Sequence, residues 1–115
     1  MDELCLSSRS LDGTTTIMVS GELDIATTGP LRAHFEQVLA QARPARIILD
    51  MRGVSFIAAA GIGLLAELRN TAALHGVELL LGDRSPAVTR LLKLVGLAGQ
   101  YPSAVHRAEG ADRLR

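Results

Sequence analysis

Three histidines, His34, His75 and His106, are the side chains best suited to ligate a metal or move a proton near neutral pH. They fall on different predicted elements with no second ligand at a metal-like spacing, so each reads as a surface histidine and no metal site is expected. Glu22 and Asp24 are candidates for paired acid–base work, but nothing in the sequence aims the two carboxylates at one substrate, so glycosidase-like chemistry lacks support. The single cysteine, Cys5, sits in an apolar–polar alternation and reads as a small buried hydrophobe; alone it allows no disulfide within the chain. Gly61-Ile62-Gly63 has neither the Gly-Lys-Ser/Thr ending of a phosphate-gripping loop nor the third glycine of a dinucleotide fingerprint. Small residues there suggest a strand-to-helix turn. Its free N–H groups would favour a phosphate or an acidic partner residue, or the glycines serve close packing of helix on sheet; the spacing supports both equally. Binding another protein fits this inventory better than catalysis.

The elements that must position these residues follow from periodicity. A plausible strand over Leu4–Arg9 leads through the turn signal Leu11-Asp12-Gly13 into the β-branched run Thr14–Ser20, which predicts an N-terminal hairpin. Gly21-Glu22-Leu23-Asp24 ends that strand, and Thr27, Thr28, Gly29 and Pro30 start a helix whose Leu31, Phe35, Val38 and Leu39 share one face. After Pro44, the apolar run in Arg46–Asp50 predicts a central strand that extends through Val54–Ile57 toward the Ala58–Gly61 turn. Ile62, Leu65, Ala66 and Ala72 mark a second helix, capped by Gly76. Leu64 and Leu68 form a further stripe on it, either extra core or a binding patch, with the scarcity of large side chains elsewhere favouring core. A strand over Val77–Leu81, a turn at Gly82-Asp83-Arg84 and a helix capped by Ser85 and carrying Val88, Leu91, Leu92 and Val95 complete the order. Val105 suggests a last short strand, and residues 108–115 read as weakly structured or frayed. Hairpin, helix, strand, helix, strand, helix is an α/β plan whose sheet is mixed: mostly parallel after the hairpin.

Composition narrows the function further. At 115 residues the chain suits one domain, 1–115, and 48% hydrophobic with 21% charged content is ordinary for a globular fold. Zero formal net charge and only 3% aromatic residues argue against nucleic acid as a partner, since neither phosphate attraction nor a stacking platform is present. The acidic start Met1-Asp2-Glu3 and the lack of an apolar run near ~20 residues point away from a secretory leader or membrane insertion, and so to the cytoplasm.

Four segments taken together resemble the STAS domain family, in particular the bacterial anti-sigma factor antagonists. They are Gly21-Glu22-Leu23-Asp24; Ile48-Leu49-Asp50-Met51-Arg52-Gly53-Val54-Ser55-Phe56-Ile57; Gly61-Ile62-Gly63-Leu64-Leu65; and Ser85-Pro86-Ala87-Val88-Thr89-Arg90-Leu91-Leu92 with Gly96-Leu97. The resemblance implies a mixed sheet with helices packed mainly on one side. It also implies a protein that binds an anti-sigma factor, itself a kinase, and so frees a sigma factor for transcription, with no cofactor. In switchable members the turn before the second helix reads Asp-Ser-Ser/Thr/Ala-Gly, and its first Ser accepts a phosphoryl group that abolishes binding. Here Ala58 stands at the Asp position, Ala59 at the acceptor and Ala60 after it, so phosphotransfer at 59 is chemically impossible.

By this resemblance the partner-binding residues are Glu22, Asp24, Ala58, Ala59, Ala60, Gly61, Ile62 and Gly63. Ser55, the nearest hydroxyl to the acceptor position, precedes the turn and is expected to bond backbone at the strand end. Asp24 is expected to face the partner, to hydrogen-bond the start of the first helix, or both. A non-phosphorylated STAS subunit of a lipid-transport complex, or a stressosome-type scaffold, is the alternative reading; a nucleotide binder is a third, weakened by the lack of a phosphate-gripping Lys.

Overall fold

The computed structural model describes residues 4–96. Their order is β1 (Cys5–Leu11), β2 (Thr14–Leu23), α1 (Thr28–Gln41), β3 (Arg46–Ile57), α2 (Ala59–Leu74), β4 (Glu78–Arg84) and α3 (Pro86–Leu94). The suggested strand at Val105 and the frayed segment 108–115 lie outside the described residues. Asp12 and Gly13 both adopt positive φ, 51° and 79°, as the tight hairpin turn between β1 and β2 demands. β1 pairs with β2 antiparallel, and β2–β3 and β3–β4 pair parallel, in the spatial order β1-β2-β3-β4.

Burial alternates along the strands because one side of the sheet meets the helices. Thr15, Ile17 and Val19 of β2 and Ile47, Leu49 and Met51 of β3 are buried. The helices close the core with Leu31, Phe35 and Val38 from α1, Ile62, Leu65 and Ala72 from α2, and Val88 and Leu92 from α3. Leu64 and Leu68 are buried too, so the second stripe on α2 is core and not a binding patch. The Ser85 hydroxyl caps α3 by accepting from Val88 N–H at 3.3 Å, and Pro86 opens the helix.

Several sequence expectations need correction. β2 runs on through Gly21-Glu22-Leu23, and β4 through Gly82-Asp83-Arg84. Both were expected to turn because glycine and charged residues punctuate them; parallel pairing with β3 overrides that local preference. Cys5 is exposed, not buried, since β1 is the sheet's outermost described strand and Cys5, opposite Ser20, lies on the side away from the helices. Val95 stands at the C-cap of α3 and is about half exposed, not on the helix's buried face. His34 is only half a surface residue: its Nε2 is sealed from solvent with no hydrogen-bond partner among the described residues.

Candidate functional site

The residues singled out from sequence gather where β2 and β3 end and α2 begins, the end of parallel strands at which open α/β sheets place ligands. The junction is tied by backbone. Ala58 N–H donates to the Leu23 carbonyl at 2.9 Å, and the Ala58 carbonyl accepts from Gly61 N–H at 2.9 Å to start α2. Ala58 caps the helix with no side-chain hydrogen bond, the expected consequence of a residue without a polar group in that place.

Gly61 is there because nothing else fits. A Cβ on it would lie 2.8 Å from Ile57 Cγ1, 3.0 Å from Leu23 Cγ and 3.1 Å from the Leu23 carbonyl oxygen. Gly63 is the opposite case, with open space where its Cβ would be. Close packing thus accounts for one glycine and not the other. Ala59 and Gly63 are exposed, Ala58 and Ala60 half-buried, while Gly61 and Ile62 face the core and seat the helix.

The second half of the site is the end of β2 with the loop that leads from it into α1, residues 22–28. The Thr27 hydroxyl donates to the Glu22 carbonyl at 2.8 Å and accepts from Asp24 N–H at 2.9 Å. Asp24 Oδ1 accepts from Ala26 N–H at 3.0 Å, and the Asp24 carbonyl accepts from Thr27 and Thr28 N–H at 3.0 and 3.1 Å, which launches α1. Asp24 therefore meets the start of the first helix through its backbone carbonyl, while its carboxylate bonds within the loop and does not cap α1. Thr27 is the residue that sequence reasoning undervalued, for it reads as a helix cap, yet its hydroxyl reaches backward to hold the loop.

β3 carries an extra residue as it approaches the turn: Gly21 is opposite Val54, but Glu22 is opposite Phe56. The residue skipped is Ser55, whose hydroxyl donates to the Gly21 carbonyl at 3.3 Å, the backbone-bonding role expected of it. A further irregularity, in the pairing of β3 with β4 between Leu49 and Met51, lies at the level of a charge cluster. There Arg52 donates to both Asp50 oxygens, Nε to Oδ1 at 3.1 Å and Nη2 to Oδ2 at 2.8 Å, with Asp83 at 3.8 Å. These hydrogen bonds hold the Asp50 carboxyl below its ordinary range, against the opposing effect of partial burial.

With this geometry in view, the relatives can be placed. A family model described as the STAS domain matches residues 6–108. The chain belongs to the STAS domain family. Among curated STAS relatives, the anti-sigma F factor antagonist of Lysinibacillus sphaericus is 30% identical over 103 residues, covering 89% of this chain and 86% of that protein. Among solved STAS structures, an anti-sigma factor antagonist from Mycobacterium paratuberculosis superposes with a TM-score of 0.79 at 26% identity, covering 96% of this chain and 95% of that one. The antagonist SpoIIAA in its unphosphorylated form superposes with a TM-score of 0.69 at 26% identity, covering 96% of both chains. The mixed sheet, antiparallel at the hairpin and parallel beyond it, with three described helices, is the STAS fold of these antagonists.

Proposed function

We propose that this chain, acting as one domain over residues 1–115, is an anti-sigma factor antagonist without the family's phosphorylation switch at position 59. It binds a kinase-type anti-sigma factor in the cytoplasm and so releases a sigma factor for transcription. The observation that carries this reading is Ala59: an exposed alanine in the first turn of α2, where the family motif has its acceptor serine. Alanine has no hydroxyl, so no phosphoryl ester can form there. The contact surface comprises Glu22 at the end of β2 and Asp24 just after it, with Ala58, Ala59, Ala60 and Gly63, while Gly61 and Ile62 support it from beneath.

Physical chemistry supports the consequence. A phosphoserine adds about −1.5 to −2 charges, which a packed interface must desolvate and which Glu22 and Asp24 would repel. With alanine at 58, 59 and 60 that penalty cannot be imposed, so the binding face stays available. Three alanines and the exposed Gly63 offer the partner surface and backbone, and no nucleophile; on this reading the domain acts by contact.

The test is to incubate the chain with its cognate anti-sigma kinase and ATP, following intact mass and complex formation together. The wild-type mass is expected to stay constant and the complex to persist. The double variant A58D/A59S, which restores the family's Asp-Ser pair, is expected to gain about 80 Da and release its partner. A gain on the wild-type chain, at Ser55 or Thr27 for example, overturns the permanently available state. Failure of the wild type to bind its anti-sigma factor overturns the antagonist reading.

A further inference from the structure

We infer that Phe56 and Ile25 are the apolar anchors of the anti-sigma contact, and that Asp24 serves chiefly to shape the loop that presents them. The inference rests on the antagonist reading above and adds residues and a partner chemistry to it.

The bulge in β3 is the first argument. Val54 is buried, and in a regular strand the residue two further on, Phe56, would point the same way. The extra residue Ser55 breaks the alternation. Phe56 is turned outward opposite Glu22, and Ile57 returns to the core opposite Leu23. The chain has only two phenylalanines; Phe35 is fully buried, while Phe56 is 50% exposed. A backbone irregularity pinned by the Ser55 hydroxyl on the Gly21 carbonyl thus presents one of the largest apolar side chains to solvent beside the acceptor turn.

Ile25 supplies the second argument. It stands at the tip of the loop that follows β2 and is 80% exposed. Its neighbours on both sides are fixed: Asp24 by the Thr27 hydroxyl and Ala26 by the Asp24 carboxylate. A β-branched side chain held out on a stapled turn loses little freedom on docking, which is what an anchor needs. Leu23, two residues before Ile25, is tied to Ala58, two residues after Phe56, so both side chains flank the Ala58–Gly63 turn.

Charge argues in the same direction. Asp24 has one carboxylate oxygen already committed to its own loop. Ala59 and Gly63, the exposed residues of the Ala58–Gly63 turn, are too small to contribute much area of their own. The partner that fits is an anti-sigma factor surface with an apolar recess for an aromatic ring and a branched aliphatic chain. Such a contact buries hydrocarbon; its binding heat capacity is negative and its affinity depends weakly on salt.

Titration calorimetry of the full chain with its cognate anti-sigma factor, at low and high salt and at several temperatures, tests this. F56S and I25S are each expected to weaken binding by about 10-fold or more, with unchanged unfolding midpoints. L74S, at a leucine more exposed than either anchor (87%) at the far end of α2, is expected to bind as the wild type does. Wild-type binding that survives both anchor substitutions, a larger loss in D24N than in F56S, or a steep salt dependence overturns the inference. So does a loss confined to self-association of the chain. Absence of wild-type binding instead overturns the antagonist reading itself, so the two failures are distinguishable.

Discussion

The Thr27 hydroxyl does two jobs with one oxygen, donating to the Glu22 carbonyl and accepting from Asp24 N–H. Removing it leaves two part-buried backbone groups to find other partners, at a cost of about 1–3 kcal/mol where water cannot replace it. T27V, close to threonine in shape, is therefore expected to lower stability by about 1–2 kcal/mol in urea unfolding, and T27S to recover most of it. The loop's geometry should change with it, because Asp24 and Ile25 are placed by these bonds. The place of Ala59 at the start of α2 was legible in the sequence, since Val54–Ile57 before it and Gly61–Leu65 after it resemble family segments. Thr27 was legible only as a helix start. Its backward reach depends on β2 continuing to Leu23, which local sequence does not announce.

For the elements, the two glycines of α2 give opposite tests. At Gly61 a methyl group meets Leu23 and Ile57, one contact at 2.8 Å, so G61A must push α2 off the strand ends, at about 1–3 kcal/mol. At Gly63 the methyl group meets nothing, and G63A is expected to gain roughly 0.5–1 kcal/mol by raising helix propensity. Chemical denaturation of both variants reads the signs directly. The helices were legible because Leu31, Phe35 and Val38, or Val88 and Leu92, repeat at helical spacing. The strand ends were not, because Gly21 and Gly82 carry local turn signals that only pairing with β3 overrules. Phe56 was equally hidden: its outward aim is set by a single extra residue, visible only once β2 and β3 are in register.

Across the whole molecule, exposed ion pairs join neighbouring elements: Arg32 of α1 with Glu67 of α2, and Arg46 of β3 with Glu78 of β4. Pairs so exposed contribute little to stability each. Their signature is instead in pH. Arg52 lowers the Asp50 carboxyl in the folded state, and Arg32 lowers Glu67 by the same means. A depressed carboxylate adds stability above its unfolded-state value, and that contribution is lost as pH falls through the folded-state value. R52L is therefore expected to raise the midpoint of acid unfolding slightly, with the difference shrinking in high salt; an unchanged midpoint at low salt would contradict it. The hairpin turn has a further consequence, this one for the order of events in folding. The Gly13 carbonyl accepts from both Ala45 and Arg46 N–H, so the β1–β2 turn marks where β3 enters the sheet. A hairpin closes within roughly 1–10 μs, whereas a parallel pair must first close the long excursion through α1. The early, local structure thus carries the acceptor that sets the starting register of the non-local one, while the tie between strand ends beside Phe56 lies at the opposite end of the same ladder.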